Sequence, residues 1–533
     1  MDLSSFAGPF VPELLLLGGT LLVFLLDVVG VRRIEVTAGV AVTATLLALV
    51  FVLANLGFAP LSALATIPSG QVDATVAVGA TPLYTFTSLG LVFQGIFLLT
   101  AFFVGLASAS RPSRERGAPI FYGLLLLATL GMLLVTIASD LIFLLLSIEI
   151  TSISTYLLVA YTRKDVRSLE AAMKFYIIGA LSTTLSFFGA SLLYGAYGTT
   201  NLFAIRAVAG STGYPVLVLL GYGFLIAGLG FKATLVPFHA WAVDVYDGAP
   251  SDVSAFLAGG SKKVGLFAFF LVFLGPVLFV APGAGGSPFS GGTIDLGPVL
   301  QVTLGVLAVV TMTVGNILAL LQKEMKRMLA YSSISQAGYM LIGIVIGTSP
   351  ALAGATLQMF SSAFMKTGTF LVVAAVAAIG IGPLIDDWKG LGTRRPLLGV
   401  AFGLMLLSLA GVPLTVGFVS KFVLFSSAVQ AQGYFVWLAV AGLLNSALSV
   451  FYYARVLKVM FFEPSPSSSS SPLPTGAAAG GADPPRLPAG GLGYARATAI
   501  ALIAVAIVAI GIYPQPVLSA IQTAAQHFLR VGA

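Results

Sequence analysis

The sequence predicts an all-α polytopic membrane protein of about fourteen transmembrane helices, each a run of roughly twenty apolar residues. Three observations predict it. Of 533 residues, 58% are hydrophobic and only 8% are charged, and mean hydropathy is +1.03; soluble domains carry about 25% charged residues. Apolar runs recur from end to end, without the period-two alternation of a membrane β-barrel. Basic residues gather in every second connection, as they do in proteins that cross a bilayer repeatedly.

The predicted spans centre near positions 20, 46, 95, 128, 150, 184, 226, 264, 310, 338, 364, 412, 446 and 505. Arg32 and Arg33 follow span 1, and Arg111, Arg114 and Arg116 follow span 3. Arg163, Lys164 and Arg167 follow span 5. Lys323, Lys326 and Arg327 follow span 9, Lys389, Arg394 and Arg395 follow span 11, and Arg455 and Lys458 follow span 13. The alternate connections are nearly free of Lys and Arg, Arg206 being the exception. The link after span 7 breaks the pattern, with Asp244 and Asp247 as solvated acids and no basic residue. The asymmetry predicts cytoplasmic odd-to-even connections and both termini on the opposite side of a prokaryotic plasma membrane. The first span follows an acidic leader, Asp2, with no small-residue cleavage site, so no removable signal is expected.

The chain divides into N-terminal spans (1–110), two five-helix units (111–275 and 298–460), a Ser/Pro/Gly-rich linker expected to be disordered (461–495) and a final helix (496–533). Span 7 carries Lys232 and then Pro237. Span 12 carries Pro413 between Gly411 and Gly417, then Lys421. These interrupted spans lie five apart. That predicts two inverted repeats, spans 4–8 and 9–13, with spans 7 and 12 broken.

Several chemistries are excluded. There is no Cys, hence no disulfide, thiolate cluster or cysteine nucleophile. Two His make bis-His haem ligation improbable, and no phosphate loop, dinucleotide fingerprint or zincin motif occurs. The net charge of +7 sits at helix ends and is no nucleic-acid signal. What remains is a set of ionisable groups inside apolar spans: Glu149, Lys174, Lys232, Lys263, Lys366 and Lys421. A lysine in a bilayer core costs at least about 2.5 kcal/mol. Lysines beside helix breakers therefore point to an ion path, in which a carboxylate pairs with an amine and its movement releases a proton. Bland readings stand beside this one. Lys174 lies near a helix end and can snorkel out. Lys262 and Lys263 are adjacent and cannot share one face. Lys366 can pair with an acid on another chain. His239 is as suited to capping as to relaying protons. Pro237 and Pro413 make either packing kinks or water-lined gaps. A scaffold without transport leaves the costly buried charges unexplained.

The run LVPFHAWAVDVYDGAPSDVSAFL resembles the signature of the proton-pumping membrane subunits of complex I, in the DVYxGAP form of subunit N. SLEAAMKFYIIGALST, KRMLAYSSISQAGYMLIG and GVPLTVGFVSKF resemble the same family's helices six, ten and twelve, and the likeness covers about positions 10 to 460. The resemblance implies fourteen helices with inverted repeats and proton transfer at Glu149, Lys232, Lys263 and Lys421. Lys174, His239, Lys262 and Lys366 are possible stations, and Lys262 is the alternative to Lys263. It implies no cofactor or metal in this chain. Quinone, FMN, iron–sulfur clusters and the donor site, for NADH, ferredoxin or a deazaflavin, would lie in partner membrane and peripheral subunits. Two features depart from subunit N: Lys366, where a neutral amide is usual, and the long linker. The alternative is a subunit of a multisubunit cation/proton antiporter or membrane-bound hydrogenase.

Overall fold

The computed structural model describes residues 8–67, 71–73, 82–110, 117–162, 165–208, 214–278, 296–464 and 493–530. Most of the expected linker, together with Asp2, Arg111, Arg114, Arg116, Arg163 and Lys164, lies outside the described residues.

Apolar runs become helices because a bilayer offers no partner to an unpaired backbone group. The main helices are α1 (Val11–Val28), α2 (Ile34–Asn55), α3 (Ser88–Ser108), α4 (Ala118–Ile137), α5 (Leu141–Val159) and α6 (Val166–Tyr197). Span 7 is split into α7 (Pro215–Ala233) and α8 (Ala240–Gly248). Span 8 is split into α9 (Ser251–Phe256) and α10 (Lys262–Leu278). Then come α11 (Leu296–Leu320), α12 (Met325–Ile346), α13 (Ser349–Ala378), α14 (Pro396–Ala410), α15 (Val416–Gln430), α16 (Phe435–Phe462), α17 (Tyr494–Ile512) and α18 (Gln515–Arg530). Among the described residues, 13 helices are long and apolar enough to cross a membrane. The shorter α14 and α15, 15 residues each, supply span 12 between them.

Polar residues set helix starts. The Asp140 carboxylate accepts from the amides of Ile142 and Phe143 at the head of α5 (2.9 and 3.1 Å), and Asp165 caps α6. Close approach sets the packing at the breaks. A Cβ on Gly265 of α10 would lie 2.5 Å from the Ala233 amide nitrogen, so glycine lets span 8 press against the end of α7. A Cβ on Gly417 would lie 1.9 Å from the Ser408 carbonyl oxygen, where the halves of span 12 cross.

The connections sort by end. Thr162, Asp165, Asp247, Ser251, Lys326 and Pro383, from the links after spans 5, 7, 9 and 11, line one cavity of about 330 Å³. At the other end, Asp140 bridges to Asn201, and the Asn201 amide donates to the Pro82 carbonyl at 2.8 Å. The odd-to-even connections after spans 5 to 11 thus share one face of the bundle.

Two local expectations are corrected, and the exception at Arg206 finds its partner. The link after span 7 is not a loop, although Asp244 in it stays 40% exposed. It is helix α8, and Asp244 pairs with Lys174 (3.2 Å) and Arg327 (3.1 Å), which are basic residues of the same end. Arg206 is explained by the C-terminus, where its guanidinium donates to the Leu529 carbonyl at 3.3 Å. Burial lowers the pKa of Arg206, and the carbonyls at a helix C-terminus favour its positive charge. The chain after 496 forms two helices, not one. The second, α18, is amphipathic and is held at the far end also by His527 against Asp73 (3.1 Å).

Candidate functional site

Span 7 stops being helical at Thr234, which takes a left-handed φ of 58°, and resumes at Ala240. The break frees backbone groups, and two side chains take them up. The Trp241 indole donates to the Phe231 carbonyl at 3.0 Å, and the Val236 amide donates to the Thr311 hydroxyl at 3.1 Å. Lys232 sits in the last turn of α7, 4% exposed, and donates to the Ser152 hydroxyl of α5 at 3.0 Å. Glu149 lies one turn earlier on α5, half-buried, and accepts from the Thr183 hydroxyl at 2.5 Å. Glu149, Ser152, Ser182, Thr183, Ser186 and Lys232 line one cavity of about 20 Å³, room on the order of one water. No ion pair within 4.0 Å joins Glu149 to Lys232 among the described residues. His239 stands in the break itself, and its Nδ1 is buried without a hydrogen-bond partner, as is the Thr234 hydroxyl.

Span 8 carries a break that its sequence did not announce: a π-helical turn, Leu257–Ser261, just before the paired lysines. Such turns occur often at functional sites. Adjacent residues on a helix point about 100° apart, and the two amines part company. Lys262 reaches across to α12 and donates to the Ser333 carbonyl (2.5 Å) and hydroxyl (3.4 Å). Lys263 turns back to the Ala258 carbonyl in the π-turn. Lys366 of α13, fully buried, donates to the Leu329 carbonyl at 3.0 Å and to the Ser332 hydroxyl. Lys262 and Lys366 therefore converge on consecutive serines of α12 and find their partners within this chain.

Span 12 breaks between Ala410 and Val416, around Pro413. Lys421 donates to the Leu409 carbonyl (2.8 Å), the Ala410 carbonyl (3.0 Å) and the Ser446 hydroxyl (2.9 Å), and its ammonium lies 5.4 Å from the Tyr339 ring centroid. The two carbonyls form the negative end of a half-helix. An ammonium has three donors, and all three are used.

Lys174 stands apart from this row. Its side chain is 44% exposed and pairs with Glu170 (2.9 Å) and Asp244. Sequence reasoning missed two buried groups. Glu13 accepts from the Gln94 amide at 2.8 Å within the first three helices, and Asp252 pairs with Arg496 at 3.4 Å, tying span 8 to span 14. Glu13 was legible as an acid at the head of an apolar run. Arg496 was not, because its partner lies 244 residues away. No group of three or more His, Cys, Asp or Glu able to hold a metal ion occurs among the described residues.

The family described as NADH:quinone oxidoreductase/Mrp antiporter, TM matches residues 138–449. That stretch is more than half of the chain and contains Glu149 and all the buried lysines of the row. The chain belongs to this family. It is 43% identical over 404 residues to the F(420)H(2) dehydrogenase subunit N of Methanosarcina mazei, covering 73% of this chain and 78% of the relative. It is 42% identical over 381 residues to the NADH-quinone oxidoreductase subunit N of Trichlorobacter lovleyi, covering 71% and 74%. Among solved structures, a chain of respiratory complex I from Thermus thermophilus is similar at 29% identity and a TM-score of 0.72, over 96% of this chain and 99% of that one. A chain of the Mrp complex from a Dietzia species, 21% identical with a TM-score of 0.80 over the full length of both, shares the fold. An all-α, multi-pass membrane architecture follows from the family and the helices together.

Proposed function

We propose that this chain is the proton-translocating membrane subunit of a complex I-like respiratory enzyme, in which quinone is reduced in other subunits. The observation that carries this reading is the row of buried amines, of which Lys232, Lys262, Lys263 and Lys421 stand at or beside helix breaks and Lys366 lies within the unbroken α13. They are held by hydroxyls and backbone carbonyls, not locked to acids. A lysine held by neutral acceptors can give up its proton without leaving a carboxylate unpaired. Glu149 and Lys232 share a cavity with room for about one water, which suits a carboxylate that tunes an amine without clamping it. At span 8, Lys262 is the better station, because it reaches across to α12 while Lys263 folds back on its own turn.

Protons enter from the face of the basic connections, taken as cytoplasmic, pass Lys262 and Lys232, and move toward Lys421 before leaving on the opposite side. Both termini then face away from the cytoplasm of a prokaryotic plasma membrane. Spans 4–8 and 9–13 act as two inverted units, and the breaks in spans 7 and 12 support this. The donor site, FMN and iron–sulfur clusters belong to partner subunits, so the partners decide whether NADH, ferredoxin or a deazaflavin supplies electrons.

The test is proton uptake by proteoliposomes holding the purified complex, with quinone and either NADH or reduced F420. Lys232→Ala is expected to abolish pumping and slow coupled quinone reduction while all subunits still copurify. An assembled Lys232→Ala complex that pumps normally removes this lysine, and the reading with it. Sodium-dependent transport without quinone reduction would place the chain in an antiporter complex instead.

A further inference from the structure

The buried lysines fall into two groups, and the material between them is unlike either. Lys262 and Lys366 meet α12 at Ser333 and Ser332. One turn further on α12 stands Gln336, on the same face as Ser332. It accepts from the Gln358 amide of α13 at 2.6 Å, and the Ser420 hydroxyl of α15 donates to the Gln358 carbonyl oxygen at 2.6 Å. The Ser361 hydroxyl donates to Ser420 at 3.0 Å. Ser420 is the residue before Lys421. A hydrogen-bonded set of side chains, Gln336, Gln358, Ser420 and Ser361, thus lies with one end a helical turn from the partner of Lys366 and the other one residue along the chain from Lys421. All of it is buried, and none of its members from Gln336 to Ser420 is ionisable.

Hydroxyls and amides differ in what they pass on. A hydroxyl can take a proton on a lone pair and release its own. A carboxamide has donors only on nitrogen and acceptors only on oxygen. To hand a proton along, it must be protonated on oxygen and lose one from nitrogen, which leaves the imidic acid tautomer. A second proton exchange must then restore it before the next transfer. Two amides in series impose this twice. The Gln336 Nε2 is buried with no hydrogen-bond partner among the described residues.

We propose that the Gln336–Gln358 pair is an insulator, which keeps the lysines at α12 from exchanging protons directly with Lys421. Crossing then requires the pair to part, so that the two ends are not short-circuited at rest. The inference rests on the proton-translocating reading above, and its test separates the two.

Gln358→Glu preserves shape and introduces a titratable group into the set. Gln358→Leu keeps the set non-titratable. Both are examined as whole complexes in proteoliposomes, by the decay of an imposed pH gradient and by protons moved per quinone reduced. The expected result is a several-fold faster decay and a lower proton ratio in Gln358→Glu, at a retained rate of quinone reduction. In Gln358→Leu the gradient is expected to persist and the ratio to be kept. A relay would show the reverse: pumping lost in Gln358→Leu and tight coupling kept in Gln358→Glu. Either of those two results overturns the insulator. If the leucine complex does not assemble, Gln336→Met replaces it, since that change leaves Gln358 on Ser420. Lys232→Ala is the control. Should it pump normally, the transport reading fails. Should it stop pumping while Gln358→Glu remains tight, only the insulator fails.

Discussion

Lys232 and Lys421 both stand beside a helix break, Lys232 at the end of the half that precedes it in span 7 and Lys421 in the half that follows it in span 12, and their surroundings differ. Lys421 faces the broken end of its own span and takes two of its carbonyls, a serine and the face of Tyr339. The break around Lys232 is closed by other groups, Trp241 and Thr311, and the lysine is left with Ser152 and a small cavity it shares with Glu149. Hydrogen bonds to a charged group contribute about 1.5 to 3 kcal/mol each. Three such bonds reach the amine at span 12, whereas at span 7 one hydroxyl and a carboxylate beyond ion-pair range stand near it. A helix break alone does not set a lysine's role. What caps the freed backbone groups decides which contacts are left to the amine.

The largest effect is expected where the amine is most fully engaged. Lys421→Met strips the Leu409 carbonyl of its amine donor and leaves the Ala410 carbonyl only the Ser446 hydroxyl, at 3.3 Å, and an orphaned buried acceptor costs about 1 to 3 kcal/mol. The variant complex should show a clearly lower thermal midpoint as well as no pumping. Unchanged stability would mean that the carbonyls find other donors and that the contrast with Lys232 is overstated. Glu149→Gln comes next. The side-chain carbonyl still accepts from Thr183, so stability should hold, but the carboxylate proposed to tune Lys232 is gone. A change on the order of 1.4 kcal/mol in that coupling corresponds to a tenfold rate change, so pumping should fall by roughly tenfold at an unaltered thermal midpoint. Equal pumping in Glu149→Gln would sink the carboxylate's part in span 7. The smallest effect is expected at Lys174→Ala. Its ion pairs are exposed, and such pairs contribute about 0.2 to 1 kcal/mol. Normal pumping and near-normal stability would keep Lys174 outside the row, while a strong defect would bring it in.

Much of this protein was legible without coordinates. The spans, the breaks at Pro237 and Pro413, and the identity of Lys232, Lys366 and Lys421 as buried amines all follow from apolar runs and misplaced charges. Other features were not legible. The π-turn at Leu257–Ser261 falls in an apolar stretch with no proline, where only Gly259 and Gly260 hint at it. The α8 helix resembled a polar link, because its acids are neutralised by Lys174 and Arg327 from elsewhere in the chain.

The sequence by itself determined where the chain crosses the bilayer and which side chains are stranded there. A membrane forces backbone groups to pair locally and makes each buried charge conspicuous, so both are written in local composition. The tertiary structure alone decided what each stranded amine touches. It turned Lys262 toward α12 and Lys263 away, kept Glu149 out of ion-pair range of Lys232, and joined Gln336, Gln358 and Ser420 from three helices by hydrogen bonds. The acceptors opposite a side chain come from helices distant in sequence, and a turn of about 100° between neighbouring residues is enough to exchange one set for another.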